Sequence, residues 1–156
     1  MTTMTDTTSP TDLLSAIDAD TLADAIRAAG CAVTTAERDG HVHLHSASHG
    51  VGFQVLWGNA VADGQYADFT LSCALRVAGG EMPRDVLDGW HRGKRFARLA
   101  THGELIVLEM DVTLYDGVSR AHVASMLRLW VMMTGEFLLH LRSASDSQPA
   151  SVPAEA

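Results

Sequence analysis

Alternating apolar and polar residues predict several strands along this chain. The clearest alternation covers residues 104–115, where the even-numbered residues from Ile106 onward are apolar and Glu109, Asp111 and Thr113 lie between them. Because successive side chains of a strand point to opposite faces, one face of this strand should be buried and the other wet or paired. Shorter strands are predicted at 31–36, 41–46, 51–57, 69–77 and 96–101.

Helical spacing of apolar residues predicts three helices. The first begins at Asp18 or Asp20 and ends at Gly30, the second covers residues 83–93, and the third runs from a Ser119 cap to about Arg142. The order is therefore α-β-β-β(-β)-α-β-β-α, which predicts one α+β domain over residues 11–142. Residues 1–10 and 143–156 have the composition of disordered tails.

The last predicted helix is apolar around most of its circumference. A stripe that includes Trp130 and Phe137 occupies one side, and further apolar residues lie outside it. Such a helix is usually central in a fold or shared with a second subunit. We therefore predict a homodimer whose interface includes Leu129, Met132, Met133 and Leu139.

The overall charge limits the kinds of partner. Eleven Lys and Arg stand against 19 Asp and Glu, a formal net charge of −8, which argues against nucleic acid and anionic membranes as partners. Five of the eleven cations lie between residues 84 and 98, however. They form either a local basic patch or a helix C-terminus followed by solvated strand residues. On the first interpretation, an unknown partner protein binds Trp90, Arg92, Arg95 and Arg98.

Histidines are concentrated at one predicted strand. His41, His43 and His45 should point to one face, and His49 follows. Alternate residues of a straight strand lie about 6–7 Å apart, which is too far for three of them to reach one ion without distortion. An exposed strand face is therefore favoured, and no metal or cofactor is predicted. A metal-binding or small-molecule sensor that uses these four residues is the alternative function.

Nothing in the sequence assembles a catalytic motif. Glu109 and Asp111 share a strand face and are carboxylates that could exchange protons, but salt bridges to Arg95, Arg98 or Arg120 are the favoured interpretation. The chain has neither a nucleophile elbow nor a phosphate-binding loop motif. We therefore predict that the protein is not an enzyme.

The sequence predicts neither a signal peptide nor a membrane-spanning helix. The Thr-rich first ten residues lack the basic and apolar regions of a signal peptide. The most apolar segment, 126–141, is too short for a membrane span and carries Arg128, Glu136 and His140. A cytoplasmic protein is predicted.

The order of features between residues 87 and 141 resembles the YbjN family, the so-called bacterial sensory-transduction regulators. The family pattern is L-N-x-W-N-x-x-x-R-F-x-R, then L-x-L-E-x-D-L, then a Gly-Gly-Val/Ile-Thr turn and a helix with Trp and Phe. Asp88-Gly89 and His91 stand where the family often has Asn. The matching residues are Leu87, Trp90, Arg95, Phe96, Arg98, Leu108, Glu109, Asp111, Gly117, Val118, Ser119, Trp130 and Phe137.

The resemblance implies a fold similar to that of type III secretion chaperones. Such a fold has a twisted antiparallel sheet with helices packed on one face and is commonly dimeric. It also implies a regulatory or chaperone-like role in stress or motility, without an agreed enzyme activity. The prediction is therefore a non-enzymatic protein-binding module that acts as a homodimer.

Overall fold

A computed structural model describes residues 12–77 and 84–147 of the chain. The predicted tail at 1–10 lies outside the described residues. The elements are α1 (Ala19–Ala28), β1 (Val33–Arg38), β2 (His41–Ser48), β3 (Val51–Trp57), β4 (Ala60–Ala62), β5 (Gln65–Tyr66), β6 (Asp68–Arg76), α2 (Arg84–Gly93), β7 (Arg98–His102), β8 (Leu105–Thr113) and α3 (Arg120–Ser147).

Six strands form one antiparallel sheet in the order β1-β2-β3-β6-β8-β7. The predicted α+β class is confirmed, and so is the predicted order of the helices and of the strands in this sheet. The optional fourth strand predicted before α2 is β6. Strands β4 and β5 form a separate small hairpin between β3 and β6, in a segment where no strand was predicted. The order of strands in the sheet places β8, the most regular predicted strand, between β6 and β7.

The core lies on one face of this sheet. The even-numbered residues of β8 are all buried, as their alternation predicts, and Glu109 and Asp111 lie on the opposite face. Phe69, Leu71 and Cys73 of β6 stand beside them and are buried in the same cluster as the inner sides of all three helices. Burial of this continuous apolar layer is the main stabilising contribution to the fold.

Turn and cap residues fix the ends of these elements. Asp39 and Gly40 between β1 and β2 have φ values of 53° and 78°, the backbone of a tight hairpin turn. The Asp18 side chain accepts a hydrogen bond from the Thr21 backbone N–H at 2.8 Å, and this bond lowers the pKa of Asp18. Ser119 caps α3 in the same way.

The last helix is longer than predicted. It continues to Ser147 rather than ending near Arg142, so the first five residues assigned to the C-terminal tail are helical. Inward packing beyond Arg142 is one physical reason, since Ala144 packs against the core. None of the helices within the described ranges has the length and apolarity needed to cross a membrane.

Candidate protein-interaction site

The side chain of Trp90 is fully buried and cannot contact a partner directly. It is 0 % exposed, and its indole N–H donates a hydrogen bond to the Ala97 carbonyl at 2.9 Å. Its ring packs edge-on against Phe137 of α3, with centroids 6.1 Å apart. The prediction that Trp90 binds a partner is therefore corrected, because this residue joins α2 to the core and to the chain that follows.

His91 makes the next link between α2 and β7. Its Nε2 atom accepts a hydrogen bond from the Leu99 backbone N–H at 3.0 Å. The family often has Asn at this position, and here the His91 side chain accepts the hydrogen bond from the backbone. Together, Trp90 and His91 hold two backbone positions of the turn that connects α2 with β7.

Phe96 lies in this turn and not at the start of a strand. The predicted strand at 96–101 begins instead at Arg98, and Phe96 has φ +78° with 58 % of its surface exposed. A left-handed backbone costs a bulky residue about 1–3 kcal/mol, so local preference alone would not produce it. The guanidinium of Arg95 lies 4.8 Å from the centroid of the Phe96 ring.

The basic residues around this turn have different surroundings. Arg92 and Arg95 are exposed. Lys94 is half-buried and lies 3.6 Å from a carboxylate oxygen of Glu136 on α3. We define residues 92–96 as the basic turn; the sequence indicated its charge, whereas the outward position of Phe96 was not predicted.

Arg98 belongs to a polar cluster on the open face of the sheet. It binds both oxygens of Asp111, at 2.7 and 3.2 Å, and one oxygen of Glu109 at 3.2 Å. The Thr70 hydroxyl also donates to Asp111, at 2.7 Å. The favoured interpretation of the two carboxylates as salt-bridge partners is therefore confirmed for Arg98.

The pairing shifts the pKa of two members of the cluster, Asp111 and Arg98. The hydrogen bond from Arg98 lowers the pKa of Asp111, with a smaller contribution from Thr70, and the same pairing raises the pKa of Arg98. Since both carboxylates are engaged by one guanidinium, Arg98 is less available to a partner than Arg92 or Arg95.

His41 and His43, two of the four histidines of the predicted sensor site, line a cleft beside the sheet. Regular pairing of β2 with β3 stops at His45, and further along, the Trp57 indole N–H donates to the Val42 carbonyl at 2.8 Å. A cleft of about 320 Å³ opens there, lined by residues that include His41, His43, Leu56, Trp57 and Tyr66. The rings of Trp57 and Tyr66 are stacked with centroids 4.5 Å apart.

The four histidines do not form one site. His45 is exposed on the strand outside the cleft lining. His49 lies in the β2–β3 turn, and its Nε2 atom is 3.0 Å from the Val131 carbonyl of α3. Among the side chains that the structure describes, no three His, Cys, Asp or Glu residues are grouped to hold a metal ion.

The outer side of α3 carries exposed apolar residues. Met132 is 52 % exposed and Leu139 is 62 % exposed, and their spacing of seven residues places them on one side of the helix. Leu129 is half-buried. Met133 is only 3 % exposed and packs in the core, so its assignment to a dimer interface is corrected.

These observations define a small α+β domain whose described surface carries exposed basic and aromatic side chains on a turn and exposed apolar side chains on the last helix. The chain belongs to the YbjN family, whose description is "Putative bacterial sensory transduction regulator"; the family match covers residues 18–143. The assignment suggested by the sequence motif is confirmed.

A solved structure has the same fold. It is the crystal structure of YbjN from E. coli, described as "a putative transcription regulator", with a TM-score of 0.60 and 16 % identity. The similarity covers 85 % of this chain and 96 % of the other. The comparison with curated proteins finds no match. The likeness to type III secretion chaperones stays a prediction.

Proposed function

We propose that this protein is a non-enzymatic, chaperone-like or regulatory protein-binding module that acts as a homodimer in the cytoplasm. A regulatory role agrees with the family description. The observation that carries the proposal is the pair of exposed apolar side chains, Met132 and Leu139, on the outer side of α3. Large apolar groups that remain exposed together on one surface are typical of association sites.

Dimerisation is tested by light scattering on the purified full chain. The expected mass at micromolar concentration is twice 16.7 kDa. Met132→Glu or Leu139→Glu should convert the dimer to a monomer, because a buried, unpaired carboxylate strongly destabilises an apolar interface. Val61→Glu is the matched control, since Val61 is similarly exposed (60 %) and lies on the β4–β5 hairpin.

A monomeric wild type would contradict the homodimer. A dimer that survives both α3 substitutions would remove the helix as the interface and direct attention to the edge strands β1 and β7. Dissociation by the Val61 control alone would place the interface on the small hairpin.

The alternative function is small-molecule sensing by the cleft between β2 and β3. Its volume is at the lower end of the range of ligand pockets, which is about 300–1,000 Å³. An aromatic floor from Trp57 and Tyr66 with imidazoles at the rim suits a small, partly apolar ligand better than a metal ion. The sensing proposal therefore rests on His41 and His43, without His49.

Thermal shift measurements on tag-free protein distinguish the two kinds of ligand. Zn²⁺ and Ni²⁺ should give little shift with wild type, and His43→Ala should behave like His45→Ala, which lies outside the cleft. A clear metal-induced shift that His43→Ala abolishes would instead support metal sensing.

For small molecules, a screened compound should quench Trp57 fluorescence in wild type and lose affinity in His43→Ala but not in His45→Ala. Absence of any such compound in a broad screen would count against this function.

A further inference from the structure

Two properties of Phe96 oppose the stability of the isolated domain. Its φ of +78° lies in the left-handed region, where glycine or asparagine is favoured over a bulky side chain. The residue is 58 % exposed, so more than half of its surface stays in solvent. Within the described chain, the Phe96 ring is contacted by the guanidinium of Arg95. Packing inside the monomer therefore does not account for a phenylalanine at this position.

The fixed backbone around Phe96 explains why its ring points outward. Ala97 and Leu99 are buried in the core, and their backbone groups are held by Trp90 and His91. With both bonds made, the chain turns at Phe96, the residue before Ala97. The ring of Phe96 is consequently displayed from a rigid support, and a partner that binds it would not have to order a flexible loop first.

The charge around the ring indicates which partner would fit. Residues 92–98 contain four cations and no acidic residue. Lys94 and Arg98 have carboxylate neighbours within this chain. Arg92 and Arg95 are exposed; Arg95 lies against the Phe96 ring, and Arg92 is four residues before Phe96 in sequence. An extended polyanion or an anionic membrane would also meet the rest of a body with net charge −8. A short acidic segment would meet the local positive charge alone, because solvent ions screen interactions beyond about 8 Å.

We propose that Phe96, together with Arg92 and Arg95, is the docking point for an acidic segment of a partner protein. An apolar or aromatic side chain of the segment packs on the Phe96 ring, and its carboxylates pair with the two guanidinium groups. Arginine and aromatic residues dominate binding energy where they meet at interfaces. This inference names the partner class for the proposed protein-binding module and rests on that function, but it does not depend on dimerisation through α3.

Fluorescence anisotropy with labelled twelve-residue peptides tests the proposal. The probe is a Glu/Asp-rich peptide with one central Trp, and its controls replace the acidic residues with Lys or the Trp with Ala. Wild-type full-length protein should bind the acidic Trp peptide at least ten-fold more tightly than either control. Raising the salt concentration should weaken this binding.

Phe96→Gly separates a docking role from a structural role. The glycine relieves the left-handed backbone, so the thermal midpoint should stay equal or rise while peptide affinity falls at least ten-fold. Arg92→Ala and Arg95→Ala should each weaken binding several-fold. Tyr115→Ala is the matched control, because Tyr115 is a similarly exposed aromatic residue (56 %) away from the basic turn, and it should leave affinity unchanged.

Several outcomes would overturn the docking role. They are unchanged affinity in Phe96→Gly, a fall in its thermal midpoint that accompanies the loss of binding, and equal binding of the Lys peptide. Binding of duplex DNA or of anionic vesicles that Phe96→Gly abolishes would assign the turn to another class of partner. Light scattering keeps this test separate from that of the homodimer, since Phe96→Gly should retain the wild-type mass and Met132→Glu should still bind the peptide.

Discussion

Replacing each of two buried tryptophans with phenylalanine tests the structural role assigned to Trp90. Trp90 and Trp130 are both 0 % exposed. The indole N–H of Trp90 binds the Ala97 carbonyl at 2.9 Å, whereas the Trp130 N–H is buried with no hydrogen-bond partner in the described part of the chain. Trp90→Phe and Trp130→Phe therefore remove the same atoms at two equally buried positions. They differ in that only Trp90→Phe breaks a hydrogen bond of the indole N–H.

The expected difference follows from the cost of unpaired polar groups. Trp90→Phe leaves the Ala97 carbonyl without this donor, a loss of about 1–3 kcal/mol in addition to the cavity. Trp130→Phe creates a comparable cavity but removes a buried donor that had no partner, which offsets part of the loss. We expect Trp90→Phe to lower the free energy of unfolding by about 2 kcal/mol more than Trp130→Phe does.

Urea denaturation followed by far-UV circular dichroism measures this difference without relying on tryptophan emission. With a slope of about 1–3 kcal/mol per molar urea, the two midpoints should differ by roughly 1 M. All samples are compared at one protein concentration, because a dimer would make stability depend on concentration. Equal midpoints with equal slopes would refute the reasoning that Trp90 is needed for its bond to the turn.

Three further predictions concern other contacts of the fold. The Arg98 guanidinium lowers the pKa of Asp111, so this carboxylate contributes stability above its unfolded pKa that is lost as pH falls through its lower folded pKa. In denaturation series below about pH 5, wild type should lose unfolding free energy as the pH falls, and Asp111→Asn should reduce this loss by no more than about 1 kcal/mol, because the side chains of Arg98 and Asp111 are both half exposed. Gly135→Ala would place a methyl group 3.0 Å from His49 Nε2. In thermal melts, the effect of Gly135→Ala on the free energy of unfolding should therefore be more favourable by roughly 1 kcal/mol in a His49→Asn background than in wild type, because the gain in helix propensity is then not offset by the contact with His49. Burial raises the pKa of Cys73 to about 11, so a thiol reagent at neutral pH should modify Cys73, as read by peptide mass spectrometry, only after unfolding; Cys31 is only partly buried, so labelling at Cys73 in the native protein is the result that would contradict this burial.

The sequence predicted the parts of the fold that depend on local periodicity. Strand β8 and the sheet-forming segments follow from alternation, and α1 follows from the Asp18 cap and Gly30. Local patterns missed the β4–β5 hairpin, whose strands are only three and two residues long. They also placed the end of α3 too early, because the packing of its last turns comes from distant parts of the chain.

The candidate sites were harder to predict because tertiary contacts create them. No local preference puts a phenylalanine in the left-handed region, and Phe96 adopts it because Trp90 and His91 hold the backbone beyond it. The histidine cleft likewise depends on where the pairing of β2 with β3 ends. His49 was grouped with the strand histidines, yet the hairpin turn carries it to α3.

The residues that carry the family resemblance separate into two physical groups. Trp90 is buried and fixes the backbone, and Arg98 is engaged by carboxylates on the sheet face. Arg95 and Phe96 lie between them in sequence, and both are exposed. The flanking residues are thus held by contacts within the fold, whereas the exposed pair lies on the surface. This part of the resemblance motif therefore combines a structural support with an exposed group, and the proposed docking of an acidic segment rests on the exposed group.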